Sequence, residues 1–218
     1  MKEIHLRLGM VIDLRKCIGC RTCTVVCGQT NKVPVNSWRR VIDCGISEPP
    51  DRLRTFVPMS CMHCGKPPCL EVCPTGATYR RTDGIIHINQ DHCIGCGYCI
   101  VSCPYQARVI MFHNRYELEA KTIVFELGDI DLNFDRIGIA TKCTFCIHKV
   151  DEGMRNGLKP GRDFLATPDC VISCSAKALH FGDMDNPDSE VNKLIRTHIT
   201  VRLQEELGTE PSIYYICE

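Results

Sequence analysis

The cysteine-rich stretch "CIGCRTCTVVC" occupies residues 17–27, and a second copy with the same cysteine spacing, "CIGCGYCIVSC", occupies residues 93–103. Both follow the pattern C-x2-C-x2-C-x3-C, which puts three thiols within seven residues. Such close spacing lets one loop place three ligands around a compact metal centre. The repeat therefore predicts two related metal-binding loops in one fold.

Two further cysteine groups complete the pattern. Each of the four groups ends with three residues before its last cysteine, although the second group has four residues before its third cysteine and the fourth has twenty-three. The sixteen grouped cysteines are Cys17, Cys20, Cys23 and Cys27; Cys61, Cys64, Cys69 and Cys73; Cys93, Cys96, Cys99 and Cys103; and Cys143, Cys146, Cys170 and Cys174. Cys44 and Cys217 fall outside these groups, and we predict that both are buried, because free cysteine behaves as a small apolar residue.

Composition limits the classes of function. The chain has 218 residues, with 26 Lys and Arg against 26 Asp and Glu. A neutral chain argues against nucleic acid as a partner, since phosphate binding normally requires a basic excess. No apolar run is long enough to cross a bilayer, and the first residues lack the apolar core of a signal peptide. We expect a soluble chain that is either cytoplasmic or exported with a partner.

Three uses of the cysteines compete. A secreted disulfide framework spreads its cysteines along the chain, whereas these form tight groups. Structural zinc sites use two C-x2-C pairs separated by a longer loop. Three cysteines within seven residues and a fourth followed by proline are instead typical of bacterial ferredoxins, in which the fourth cysteine ligates the neighbouring cluster. Proline follows the last cysteine in "CPTGA" (73–77) and "CPYQA" (103–107), which favours iron–sulfur clusters.

The segments around the groups predict an α+β fold. "ATYRRTDGIIHINQDHCIGC" (77–96) predicts a hairpin with an Asp83-Gly84 turn that leads into a cysteine loop. "MVIDLRKCIGC" (10–20) predicts the same step from strand to loop. Helices are expected in "TCTVVCGQTN" (22–31), in "FCIHKVDEGMRNG" (145–157), ending near Gly157, and in "NPDSEVNKLI" (186–195), which begins with a cap and carries an apolar stripe. The stretch 147–169 is predicted to be a surface loop or a subunit contact.

Several residues near the ligands have open roles. Four cations beside predicted ligands either offset cluster charge or are ordinary solvated charges: Lys16, Arg21, Lys66 and Lys142. Three histidines near the groups are expected to pack or to form hydrogen bonds rather than to bind metal: His63, His92 and His148. Trp38, Arg39 and Arg40 are interpreted as surface or core residues, with a partner contact as the alternative.

With all four groups considered together, the chain resembles the four-cluster electron-transfer subunit, the beta subunit, of the molybdopterin oxidoreductase or dimethyl sulfoxide reductase family. That family includes the small subunits of dimethyl sulfoxide, polysulfide, nitrate and arsenate reductases and of formate dehydrogenase. The resemblance covers nearly the whole chain and extends to "LRLGMVIDLRKCIGC" (6–20), "LHFGDMDNPDSEVNKLI" (179–195) and "EPSIYY" (210–215). The chain departs from the family pattern at "CSAKA" (174–178), where proline often follows the cysteine.

The resemblance implies four [4Fe–4S] clusters and a set of ligands for each. The first cysteine group pairs with the fourth, and the second with the third. Cluster 1 takes Cys17, Cys20, Cys23 and Cys174; cluster 2 takes Cys143, Cys146, Cys170 and Cys27; cluster 3 takes Cys61, Cys64, Cys69 and Cys103; and cluster 4 takes Cys93, Cys96, Cys99 and Cys73. The implied fold is a pair of intertwined bacterial-ferredoxin-like units within one four-cluster protein, 1–218. Unit A covers about 1–50 and 137–190, unit B about 51–136, and a docking segment covers 191–218.

The resemblance also implies the function. Such a subunit carries single electrons between a large molybdopterin (molybdenum or tungsten) catalytic subunit and either a membrane-anchored quinone or haem subunit or a soluble acceptor. The pair of clusters 1 and 2 faces the catalytic subunit. The sequence contains neither a G-x-G-x-x-G phosphate loop nor a nucleophile paired with a base, so no catalytic residue is predicted. The alternative is a free-standing polyferredoxin or the corresponding subunit of a hydrogenase-type complex.

Overall fold

The strand that leads into the first cysteine group is the centre of the main sheet. The computed structural model describes residues 6–46, 54–111 and 137–217. Strand β1 (Leu8–Asp13) is buried along its whole length. It pairs antiparallel with β8 (Leu179–Asp183) and parallel with β10 (Ile213–Ile216), and β9 (Thr200–Val201) pairs with the far edge of β10. A continuous apolar run fits this central position, because both faces of the strand are covered.

The other described strands form three two-stranded antiparallel sheets. These join β2 (Arg40–Ile46) to β3 (Arg54–Met59), β4 (Thr78–Arg80) to β5 (Ile86–Ile88), and β6 (Val109–Ile110) to β7 (Ala140–Thr141). The β4–β5 hairpin confirms the turn predicted at Asp83-Gly84. The Asp83 carboxylate accepts a hydrogen bond from the Ile85 backbone N–H at 3.1 Å, and Gly84 has a φ of 82°.

The described helices are short, and all but the last of them lie within or beside a cysteine group. They are α1 (Thr22–Asn31), α2 (Pro68–Glu71), α3 (Tyr98–Val101), α4 (Ile147–Arg155), α5 (Asp169–Ile172) and α6 (Glu190–Thr197). Helix α1 matches the prediction for residues 22–31. Helix α4 ends at Arg155, two residues before Gly157, whose φ of 76° is the left-handed conformation that favours glycine after a helix.

The C-terminal part of the chain packs on the main sheet. Ser189 caps α6 by accepting a hydrogen bond from the Asn192 backbone N–H at 3.2 Å. The apolar side of α6 includes Val191, Leu194 and Ile195, which pack in a cluster with Val11 of β1. The apolar stripe predicted for this helix therefore docks on this chain.

Residues 147–169 form ordered structure rather than one long loop. Helix α4 packs against a short 3-10 helix, Phe164–Ala166. The contact is close, because a Cβ atom added at Gly153 would lie 2.6 Å from the Ala166 Cβ. Phe164 and Leu165 nevertheless remain largely exposed, so this segment presents apolar side chains to the surface.

Cysteines make up much of the interior. The largest hydrophobic cluster joins apolar strand residues such as Leu8, Met10 and Ile12 to buried grouped cysteines; these are Cys23, Cys27, Cys61, Cys64, Cys143 and Cys170. A second cluster surrounds Cys69 and Cys99. The core is therefore assembled around the thiols, and the sheets and helices enclose them.

Two predictions of burial are wrong. Cys44 and Cys217 are both exposed. Cys44 lies in the outward-facing part of β2, where Ile42 and Asp43 are also exposed, and Cys217 follows the last residue of β10. Neither position belongs to a buried strand face.

The mixture of helices and strands is that of an α+β ferredoxin-like fold. The division into units A and B stays a prediction, and residues 112–136 of unit B lie outside the described residues. The β2–β3 pairing spans the predicted boundary between the units at residues 50 and 51. In the described parts of the chain, no helix is both long and apolar enough to cross a membrane.

Candidate iron–sulfur sites

Three of the four predicted ligand sets each line a separate concavity. Quartet 1 is Cys17, Cys20, Cys23 and Cys174; quartet 3 is Cys61, Cys64, Cys69 and Cys103; and quartet 4 is Cys73, Cys93, Cys96 and Cys99. The concavities have similar volumes of about 350, 320 and 330 Å³ respectively, including their mouths. In each of them, three cysteines from one group meet a single cysteine from another group.

The fourth set, quartet 2, is wholly buried. Its members are Cys27, Cys143, Cys146 and Cys170, each no more than 6 % exposed. The Asn31 side-chain amide lies 3.6 Å from the Cys27 Sγ and 3.8 Å from the Cys146 Sγ, so one donor spans two groups. Burial, followed by the charges of Cys143 and Cys170, raises the pKa of Cys27, as expected for thiols held close together.

Helix packing explains why the groups meet in this crossed pattern. Helix α1 carries Cys23 and Cys27 and packs against α5, which carries Cys170 and is followed by Cys174. Helices α2 and α3 pack in the same way and bring the second group to the third. Within each group the last two cysteines are four residues apart. The first of the two belongs to the quartet that holds the other cysteines of its group, and the second belongs to the neighbouring quartet.

The two copies of the repeated loop share one backbone conformation. Gly19 and Gly95, at equivalent positions, both have a φ of 68°. The residue just before each following helix is also left-handed, with a φ of 60° at Arg21 and 80° at Gly97. An added Cβ at Gly95 would lie 2.0 Å from the Gly138 carbonyl oxygen, so this position has no room for a side chain. Equal sequence spacing has therefore produced equal loop geometry.

Burial and hydrogen-bond donors act in opposite directions on the thiols. Burial, and next the charges of neighbouring thiols, raise the pKa of Cys64 to about 12 and that of Cys146 to about 11. Metal-free protein would keep these thiols protonated at neutral pH, and metal binding has to release the protons. Backbone N–H groups meanwhile point at Sγ atoms, from Thr78 to Cys73 at 3.4 Å and from Ala178 to Cys174 at 3.3 Å. Such donors stabilise cluster sulfur in its anionic form.

The concavities lined by three of the quartets suit a multi-atom cluster, which occupies the space between its ligands. A zinc ion held by four sulfurs at about 2.3 Å requires all four to converge on one point. Among the described residues, no three His, Cys, Asp or Glu side chains are close enough together to hold a single ion. Quartets 1, 3 and 4 surround concavities instead, and four thiolates around such a space are the donor set of a [4Fe–4S] cluster.

The structure agrees with the prediction for His63. His63 is fully buried, accepts a hydrogen bond from the Ile86 backbone N–H at 3.1 Å, and packs on the Phe145 ring with centroids 4.0 Å apart. His92 and His148 are exposed. His63 therefore packs and accepts a hydrogen bond between quartets 2 and 3.

Three of the four predicted cations lie in solvent. Lys16, Arg21 and Lys66 are exposed, and Lys66 forms an ion pair with Glu210 at 2.8 Å. Lys142 differs because it is only 1 % exposed and donates to the Cys143 carbonyl at 3.0 Å. The ordinary solvated interpretation holds for the first three.

Two buried arginines near the quartets are not identified by sequence reasoning. Arg39 is 1 % exposed and Arg108 is 3 % exposed. Packing in the core is the right interpretation for the neighbouring Trp38, whose indole N–H donates to the Thr141 hydroxyl at 3.1 Å, but it gives Arg39 no role at the quartets. Arg108 stands only five residues after the predicted ligand Cys103 in the sequence, and this closeness is a signal that could have identified it.

Comparison with known proteins agrees with this geometry. Residues 53–123 match the family model described as a 4Fe-4S dicluster domain. The chain is 41% identical to a subunit of selenate reductase from Mesobacillus selenatarsenatis, covering 95% of this chain and 70% of that protein. It is 34% identical to the arsenate respiratory reductase iron–sulfur subunit of Shewanella sp. strain ANA-3, covering 97% and 96%.

A third relative extends the comparison to quinone chemistry. The chain is 35% identical to the iron–sulfur cluster-binding subunit of menaquinone reductase from Nitratidesulfovibrio vulgaris, covering 99% of this chain and 90% of that protein. All three relatives are subunits of reductases, and they align along almost the whole chain. The chain therefore belongs to the iron–sulfur electron-transfer subunits, the beta subunits, of the molybdopterin oxidoreductase family.

Proposed function

We propose that the chain carries single electrons through four [4Fe–4S] clusters, one bound by each quartet. The observation that supports this most strongly is that the predicted ligand sets lie together as four separate quartets, one cysteine in each coming from a partner group. In a [4Fe–4S] cluster with four thiolate ligands, every iron is bound by the protein and none has an open coordination position for a substrate. Such clusters therefore transfer electrons rather than bind substrate.

The quartets are arranged in a fixed order along the molecule. Cys23 and Cys27, one helical turn apart on α1, connect quartet 1 to quartet 2, because side chains at i and i+4 lie about 5–6 Å apart on a helix. The contact between His63 and Phe145 joins quartet 3 to quartet 2. Cys69 on α2 and Cys73 just after it connect quartet 3 to quartet 4. This order supports a single path through clusters 1, 2, 3 and 4.

The two ends of this path reach the surface. Cys20 of quartet 1 and Cys96 of quartet 4 are exposed, whereas quartet 2 is buried and quartet 3 has no exposed member. Exposed apolar side chains flank both ends, with Ile18 at 64% beside Cys20 and Ile94 at 67% beside Cys96. Exposed ligands beside apolar surface are what donor and acceptor subunits require for close approach, so electrons enter at one end and leave at the other.

The partners follow from the family. We propose a large molybdopterin catalytic subunit at the end formed by quartets 1 and 2. At the other end we propose a membrane-anchored quinone-linked or haem subunit, or a soluble acceptor, and association with the membrane through that subunit. The name of the menaquinone reductase relative supports the quinone link. The second candidate, a free-standing polyferredoxin or hydrogenase-type subunit, shares the cluster chemistry but has no pterin partner.

Purification under anaerobic conditions tests this assignment. An affinity tag on this chain, expressed from its native locus, is expected to recover a large subunit containing molybdenum or tungsten and a pterin. A mild, uncrosslinked preparation of the untagged strain serves as the control. Recovery of the brown chain alone, or with a hydrogenase subunit, would support the second candidate and contradict the first.

The type of cluster in quartet 4 is open to a direct test. Some members of the family have tryptophan at the position of Cys96 and hold a three-iron cluster there, whereas Cys96 supplies a thiolate in this chain. The variant C96W should therefore convert one of four [4Fe–4S] clusters into a three-iron cluster and create a paramagnetic signal in the oxidised protein. The other three clusters should assemble unchanged.

The neighbouring residue Tyr98 provides the control, since Y98W adds the same bulky side chain beside Cys96 without removing a thiol. It should show no three-iron signal in electron paramagnetic resonance. A stoichiometric three-iron signal from the unmodified, oxygen-protected protein would contradict the assignment of a complete quartet 4.

A further inference from the structure

Arg39 is a buried cation without an acidic partner. Its side chain is 1 % exposed, and its only hydrogen bonds among the described residues go from Nη2 to the Met10 Sδ at 3.2 Å and the Ser60 hydroxyl at 3.3 Å. The Nε and Nη1 donors have no acceptor there. An uncompensated buried charge is strongly unfavourable, and unsatisfied buried donors add to that cost. The protein must therefore supply negative charge to Arg39 by another route.

The quartets supply that charge from two sides. The thiolates that interact most strongly with Arg39 are those of Cys170 and Cys143 in quartet 2 and of Cys23 in quartet 1. The effect is mutual, because the Arg39 charge lowers the pKa of Cys23 and Cys170 against the larger effect of burial. The Met10 side chain that accepts from Arg39 packs in the same hydrophobic cluster as Cys23 of quartet 1 and three cysteines of quartet 2, so Arg39 lies beside both quartets.

Arg108 has the corresponding position in the other half of the molecule. Its Nη2 donates to the Cys69 Sγ at 3.0 Å and its Nη1 to the Thr78 hydroxyl at 3.0 Å. Beyond Cys69, its charge acts on Cys61 of quartet 3 and on Cys99 of quartet 4. Arg108 thus lies between quartets 3 and 4. Both arginines are buried cations beside two quartets, although they occupy different places in the sequence relative to the cysteine groups.

Lys142 is a third buried cation and lies between the two pairs. It stands next to Cys143 of quartet 2 and donates to the carbonyl of Ile86, a residue that lines the concavity of quartet 3. Its ammonium group donates to the Ile86 and Cys143 carbonyls and so has acceptors in the protein. Buried cations and quartets therefore alternate along the proposed path, and the arginines have the more direct access to thiolate charge.

We propose that Arg39 and Arg108 are fixed bridging counterions that raise the reduction potential of the two clusters beside each of them and lessen the repulsion between those clusters when both are reduced. The inference rests on the proposed function, since it requires a cluster in each quartet. Each reduction transfers one electron from the donor subunit to a cluster. The cluster gains one negative charge, and no bond is broken. A guanidinium group stays protonated throughout, so Arg39 and Arg108 offset that charge without taking up a proton.

Potentiometric titration of the anaerobically purified complex, followed by electron paramagnetic resonance, tests the inference. Because charges inside proteins interact through an effective dielectric of about 20, R39M should lower the reduction equilibrium constant of two clusters by at least about tenfold, or about 59 mV for one electron. R108M should lower that of the other two clusters by a similar factor. The two affected pairs should be complementary, and the charge-conserving variants R39K and R108K should retain most of the wild-type potential.

Exposed cations beside ligands provide matched controls. K16M and K66M remove charges next to Cys17 and near Cys64, but these lysines lie in solvent, so each reduction constant should change by less than about threefold. Full iron content with unchanged potentials in R39M and R108M would overturn the inference while leaving the proposed function intact. If R39M binds less iron, R39K decides: low iron or a shifted potential in R39K would show that shape rather than charge matters, and would also overturn it.

Absence of iron from the purified wild-type protein would have a different meaning. If the purified wild-type chain contains no iron–sulfur clusters, the proposed function itself fails, and no potential can be attributed to either arginine. The iron analysis and the titration therefore distinguish failure of the inference from failure of the function on which it rests.

Discussion

Removal of iron should abolish cooperative unfolding of the chain. Sixteen of the 18 cysteines belong to the quartets, and most of them lie in the two largest hydrophobic clusters. A single structural zinc site contributes about 10–16 kcal/mol of apparent binding free energy, which is as much as the whole stability of a typical domain. Loss of four clusters would leave open concavities at three quartets and a buried set of thiols at the fourth.

Calorimetry and limited proteolysis measure this effect. Protein treated with an iron chelator and a thiol reductant should lose its sharp thermal transition and become sensitive to protease, whereas reductant alone should leave both properties unchanged. Reconstitution with iron and sulfide should restore them. An apoprotein with an intact, sharp transition would show that the sheets and helices form a stable core without clusters.

The substitution C27S should perturb the cluster held mainly by the fourth cysteine group. Cys27 belongs to the first group in the sequence, but it lies with Cys143, Cys146 and Cys170 in quartet 2. Because one corner iron of that cluster would lose its thiolate, the variant should lose between one and four of about sixteen irons. The missing spectral component should be the one that C143S also loses.

Two comparisons make this test specific. C20S, which changes another cysteine of the first group, should affect a different component, because Cys20 lies in quartet 1. C44S should retain all iron, because Cys44 is exposed and belongs to no quartet. If C27S and C20S lost the same component while the C143S component remained, the crossed ligand sets would be refuted.

Much of the fold was predictable because cysteine spacing constrains it locally. The repeated loops, the Asp83-Gly84 hairpin and the helix over residues 22–31 all depend on short-range signals such as turn residues and cysteine spacing, and the structure confirms them. The ligand sets were implied by the family resemblance, and that resemblance rests on the sixteen grouped cysteines. Their close approach in the structure depends on the packing of α1 on α5 and of α2 on α3, and no local pattern specifies that packing.

The predictions that failed concern tertiary context. Cys44 and Cys217 are exposed because of where β2 and β10 place them, and a general preference of cysteine for the interior does not reveal this. An arginine beside Trp38 resembles an ordinary surface residue until the strands bring Arg39 between two quartets, so the sequence does not reveal its position. A cation next to a ligand in the sequence is a poor guide to buried charge at the quartets. Lys16 and Lys66 are exposed, whereas Arg39, which is farther from any ligand in the sequence, is buried.

Mössbauer spectroscopy of iron-enriched protein, combined with iron and sulfide analysis, counts the clusters in the chain and identifies their type. The measurement uses anaerobically purified complex, so that oxidation does not strip iron from complete clusters. Four quartets predict about sixteen irons and sixteen sulfides per chain, all in [4Fe–4S] clusters. About eight irons per chain, zinc in place of iron, or a stoichiometric three-iron component would contradict the account.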